Sequence, residues 1–105
     1  RKAMRLNPYH PPRYWSHLAR ALFHLGRQRE ALDALQNVRP PRIRERAYQV
    51  AVSHALGDHG LTTMHVAELR KAKPGFDPSR FVAALPYKDD ADRQALLDAL
   101  SNALT

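Results

Sequence analysis

The chain has 105 residues, with 17 Lys and Arg against 10 Asp and Glu, for a formal net charge of +7. This length fits one domain with a modest core, and the absence of Cys excludes disulfides and thiolate metal sites. No run approaches the roughly 18 apolar residues of a membrane span, so the basic balance points to acidic partners: nucleic acid, anionic lipid or acidic peptide. The same arginines equally suit a solvated helical surface. No signal peptide is read at the N-terminus, and a cytoplasmic protein is expected. Because the chain opens on Arg1 and not on Met, it is also expected to be part of a longer protein.

Ala and Leu dominate the apolar residues, and no stretch alternates apolar with polar as a half-buried strand would, so an all-α fold is expected. Residues 12–25 place Trp15, Leu18, Ala19, Leu22 and Phe23 on one apolar stripe. Gly26 follows, where a helix end favours a left-handed residue. Residues 28–38 repeat the pattern with Ala31, Leu32, Ala34, Leu35 and Val38, and the short connection forces antiparallel packing. Pro40 and Pro41 stop this helix and open a third over 41–56, with Ile43, Ala47, Val50, Ala51 and Leu56. Gly57 ends it, and a fourth helix over 60–72 carries Leu61, Met64, Val66, Ala67 and Leu69 before Pro74-Gly75. Asp77 reads as an N-cap ahead of Pro78 for a short helix through Phe81, Val82 and Leu85, broken by Pro86. Asp89 or Asp90 then caps a final helix over 90–103, with Asp92 in its favourable first turn. Its Leu96, Leu97, Leu100 and Leu104 are expected to bury against residues 60–72.

Gly26 and Gly57 stand 31 residues apart, each between two helices. A helix–turn–helix period of about 34 residues is the tetratricopeptide signature, and the first pair resembles that family at Trp15, Leu18, Ala19, Leu22, Gly26, Ala31, Leu35 and Val38. Small residues such as Ala19 and Ala31 let helix backbones approach, while Trp15 and Leu35 fill the space between pairs. The second pair departs from the pattern: Arg46 replaces the aromatic and Thr62 the small Ala, although Gly57 and Pro74 are kept. Ala3 and Pro8 resemble the end of a preceding repeat, so the likeness covers about residues 1–76. The strings RLNPYHPPRYW, ALFHLGRQREAL, VRPP and LPYKDDADRQALLDAL further resemble the C-terminal repeat region of bacterial class III adenylate/guanylate cyclases. In that family a cyclase domain precedes the repeats. The resemblance implies a parent adenylate or guanylate cyclase, none of whose metal- or nucleotide-binding residues falls in this chain.

The expected architecture is a tetratricopeptide-like α-solenoid of tandem antiparallel helical hairpins with C-terminal capping helices. Residues 1–8 would end a preceding repeat, 9–40 form the first hairpin, 41–76 a second, degenerate one, and 77–105 the cap that hides the last apolar face.

No catalytic, cofactor-binding or metal constellation is read, and the chain itself is not expected to be an enzyme. The glycines are isolated helix punctuation, the serines at 16, 53, 79 and 101 lack a strand-to-helix elbow, and a helix N-terminus accounts for Asp89, Asp90 and Asp92. His17 and His24 lie on one side of a helix, but even with His10 or His54 they lack the partners a metal site needs.

In tetratricopeptide arrays the first helix of each hairpin lines a concave groove. The resemblance therefore implies a peptide groove of Arg13, Ser16, His17, Arg20, Phe23 and His24, continued by Arg44, Ala47, Tyr48, Ala51 and His54. Arginines suit bidentate capture of carboxylates, and Phe23 and Tyr48 offer apolar contact. The expected function is protein–protein interaction with a protein, an acidic peptide segment or another domain of the same protein, and self-association stays open. In a cyclase this would be the regulatory or oligomerisation region. Two alternatives stand beside it. The run RPPRIRER at 39–46 suits nucleic acid or an acidic membrane, although Glu45 interrupts it and a helix start claims it. A helix-turn-helix reading of 41–72 exists as well, but the tandem period argues against it. The second alternative is a structural end-cap with no ligand of its own. Nucleic acid ranks below protein as a partner, and no membrane partner is expected.

Overall fold

A computed structural model describes residues 12–104, so the expected end of a preceding repeat at residues 1–8 lies outside the described residues. The described chain is all-α: α1 (Pro12–His24), α2 (Gln28–Leu35), α3 (Ile43–Leu56), α4 (His59–Ala72), α5 (Pro78–Ala83) and α6 (Asp90–Leu104), with no strand among these residues.

The helix ends follow from local chemistry. Gly26 and Gly57 adopt φ of 79° and 84°, values that cost an L side chain steric strain and glycine none. At the first bend Gly26 N donates to Phe23 O at 3.1 Å and Arg27 N to Leu22 O at 2.9 Å. At the second, Gly57 N donates to His54 O at 3.0 Å and Asp58 N to Ser53 O at 3.3 Å. Both are Schellman motifs, which satisfy the carbonyls a helix end leaves orphaned. Asp58 then starts α4 at once, its Oδ1 accepting from Leu61 N at 3.0 Å.

Three boundaries differ from the sequence expectation. α2 stops at Leu35 rather than at Val38, because Asn37 Nδ2 donates to Asp33 O at 3.0 Å and competes for the closing carbonyls. Val38 stays buried beyond the helix in a tighter turn. α3 begins at Ile43, not at Pro41, and α5 ends at Ala83 rather than reaching Leu85. Leu85 precedes Pro86, and the residue before a proline is disfavoured in helical conformation. The expected caps of the C-terminal helices are present: Asp77 Oδ1 accepts from Ser79 N at 3.0 Å, and of the two candidates ahead of α6 it is Asp89 that caps, accepting from Ala91 N at 2.8 Å.

α1 packs on α2, and α3 on α4, across these short bends. α3 is central: it also touches α2, α1 and α6, and it buries Glu45, Ala47, Tyr48, Val50, Ala51, Val52 and Ser53. A helix enclosed on several sides shows no single apolar stripe. This corrects the expected placement of α6, which packs chiefly along α3 and only slightly on α4. α4 offers a narrow face, burying Thr62 and Leu69 alone, while Met64 and Ala67 of the expected stripe are exposed. Leu96 and Leu100 are fully buried, whereas Leu97 and Leu104 are only half-buried. No helix among the described residues is long and apolar enough to cross a membrane.

Candidate functional site

α1 and α3 meet around a buried polar pair. The Ser16 hydroxyl donates to Glu45 Oε2, and the Arg42 backbone N–H donates to Glu45 Oε1 at 2.9 Å. Glu45 is only 5% exposed, and a carboxylate so placed needs donors to offset its lost hydration. Read in the sequence as an interruption of a basic run, Glu45 in fact fixes both the start of α3 and its contact with α1.

Beside this pair opens a cleft with a basic rim of Arg13, His17, Arg42 and Arg44, all exposed, over a half-buried apolar floor of Tyr14, Leu18 and Ile43. It encloses about 1250 Å³, more than the roughly 300–1,000 Å³ of a typical small-molecule pocket. Among the described residues, none of the ion pairs involves Arg13, Arg42 or Arg44. The rest of the basic run is used internally, with Arg39 Nε on Gln36 O at 2.9 Å and Arg46 Nη1 on Glu68 Oε1 at 3.1 Å.

One and two turns beyond Ser16, at Arg20 and His24, the same side of α1 is covered by the chain itself. Tyr87, from the connection between α5 and α6, inserts there. Its hydroxyl lies 2.7 Å from His24 Nε2 and 2.8 Å from the Tyr48 hydroxyl, and the Arg20 guanidinium sits 5.5 Å from its ring centroid. Arg93 Nη2 donates to Tyr87 O at 2.8 Å, and Asp92 Oδ1 lies 3.8 Å from His24 Nδ1.

The protonation states order this cluster. Burial, then the hydrogen bond to Tyr87, pushes the Tyr48 hydroxyl well above the ordinary tyrosine value. Burial likewise raises Tyr87, and the bond from Tyr48 opposes that rise. Both are therefore neutral at pH 7, and each hydroxyl can donate or accept in the chain Tyr48–Tyr87–His24. Burial lowers the His24 pKa, Asp92 and Asp89 pull it back up, and Arg20 adds to the lowering.

The residues expected to form one groove thus divide. Arg13, Ser16, His17 and Arg44 line the open cleft, with Ser16 at its buried base. Arg20, His24 and Tyr48 gather around Tyr87. Phe23, Ala47 and Ala51 are buried in the core, and His54 lies apart in the last turn of α3. No group of three or more His, Asp or Glu able to hold a metal occurs among the described residues. Tyr87, Glu45, Asp92 and Arg42 were not expected in the site. Arg42 and Glu45, three apart at a helix start, carried a capping-box-like signal. Tyr87 carried none, because it reaches its partners across 63 and 39 residues from a non-helical connection.

Comparison with known proteins returns no matching family, no matching curated protein and no matching solved structure.

Proposed function

We propose that this chain is a protein-interaction module of the tetratricopeptide type, which holds an acidic peptide segment in the cleft between the starts of α1 and α3. The observation that carries this is the convergence of Arg13, His17, Arg42 and Arg44 around an apolar floor. Guanidinium groups take carboxylates through bidentate, charge-assisted bonds. Tyr14, Leu18 and Ile43 would contact apolar residues lying between those carboxylates. The repeat reading is supported by the matched bends at Gly26 and Gly57 and by α3 lying against both helices of the preceding pair. The likeness of the strings quoted above extends the proposal to the parent protein: a bacterial nucleotide cyclase, with this module as its regulatory or oligomerising region.

The test is fluorescence anisotropy of a labelled peptide alternating Glu and Leu, titrated with wild type and with an Arg13→Glu, Arg44→Glu double variant. Hydrogen bonds to charged groups contribute about 1.5–3 kcal/mol each, so losing one or both should weaken binding at least about ten-fold. Equal affinity for two proteins of equal helicity would overturn the reading. Tighter binding of duplex DNA than of the peptide, with a steep salt dependence, would transfer it to the nucleic-acid alternative.

A further inference from the structure

The 86–92 segment contains a ligand-like arrangement. Tyr87 is the single side chain of the stretch Pro86–Asp89 that penetrates, while Pro86, Lys88 and Asp89 remain exposed. Its ring packs at the edge of the core, and its hydroxyl and ring face meet Arg20 and His24 of α1 and Tyr48 of α3, while Arg93 of α6 holds its backbone carbonyl. Asp89 and Asp92 follow it into a recess shared with Arg20, Ala21 and His24. An aromatic hydroxyl with carboxylates two and five residues later therefore faces an Arg, a His and a Tyr on the strip that continues from the basic cleft.

We propose that residues 86–92 are an internal occupant of the peptide site, a displaceable strap that closes its far half and whose own chemistry, a tyrosine followed by carboxylates, defines the partner segment that replaces it. This rests on the interaction reading above and adds its regulation. With the strap in place a partner reaches the Arg13–Arg44 cleft alone. With the strap out, the accessible strip lengthens to Arg20, His24 and Tyr48. Tyr87 is the main anchor, joined by Arg93 on its carbonyl and Asp92 beside His24, while the fully buried Leu96 and Leu100 keep α6 on α3.

The test uses the full chain and a labelled peptide of residues 84–93 supplied in trans. If the strap is closed in about 90–99% of molecules, wild type should bind this peptide about ten- to hundred-fold more weakly than Tyr87→Ala. A second comparison does not depend on removing Tyr87. The chain has no Cys, so an Ala21→Cys, Lys88→Cys variant can be bridged specifically by a short bismaleimide across the recess. Bridging should abolish the binding that the unbridged protein shows, and it decides the matter if Tyr87→Ala loses its cooperative melt. Equal affinity of bridged and unbridged protein overturns the strap. The Glu–Leu peptide, titrated against the same proteins, separates the two ideas. Should it bind throughout while the 84–93 peptide never does, the strap fails and the interaction reading stands; should neither peptide bind, both fail.

Discussion

The Ser16 hydroxyl donates to the Glu45 carboxylate inside the α1–α3 contact, where both side chains are buried. Ser16→Ala should lower stability by about 1.5–3 kcal/mol, because among the described residues the buried carboxylate then keeps only the Arg42 N–H. Glu45→Ala should cost a similar amount. The double variant should cost less than the two together, with a coupling of at least about 0.5 kcal/mol. Urea denaturation of the four proteins measures this, and strict additivity would show that the pair does not act as a unit.

The leucines of α6 should not be equivalent. Leu100→Ala removes a fully buried side chain against α3 and should cost about 2–5 kcal/mol. Leu97, half-buried, should cost clearly less on the same change. Thermal melts compare them directly, and a larger loss at Leu97 would contradict the packing of α6 described above.

Ser53 gives a prediction of opposite sign. Its side chain is fully buried, and its hydroxyl has no hydrogen-bond partner among the described residues. Ser53→Ala removes an uncompensated polar group while leaving almost the same volume. The melting temperature should stay level or rise, since such a group carries a desolvation cost of about 1–3 kcal/mol. A clear fall in melting temperature would reveal a partner for this hydroxyl.

His24 and His65 should make the protein acid-sensitive. Burial lowers the pKa of both, opposed at His24 by Asp92 and at His65 by Glu68. A histidine with a depressed folded pKa takes up its proton more readily in the unfolded chain. Stability is therefore full above the unfolded value of about 6.5 and declines as pH falls through it toward the folded values. Melting temperatures between pH 8 and 5 (about neutral to mildly acidic) should fall for wild type and fall less for a His24→Gln, His65→Gln variant. Parallel profiles would exclude these two side chains as the cause.

Most of the helical pattern was legible because it is local. The stripe of α1, the left-handed glycines and the caps at Asp77 and Asp89 depend on residues a few positions apart, and each is where periodicity or local turn chemistry placed it. The packing of α6 was not, since leucines on one side of a helix do not say which neighbour offers the wider face. α3 offers it because it is buried around several sides, a property that blurs the stripe by which a reader would recognise its core. The candidate site divides in the same way. The repeat resemblance, combined with helical register, puts Arg13, His17 and Arg44 on one face, and they line the open cleft. The tyrosine that covers Arg20 and His24 could not be found in this way, because a residue in an irregular connection has no periodicity to reveal its partner.

The return of α6 to α3, with Tyr87 reaching on to α1, also bears on how the protein comes apart. A stack whose units touch only their sequence neighbours can fray from an open end while the remainder stays folded. Here the last described helix is fastened to the middle of the molecule, and the connection before it to the first described helix. Loss of α1 or of α6 would each uncover α3, the helix they share. Heat or denaturant should then meet a single all-or-none transition, in which the order of elements along the chain leaves no trace.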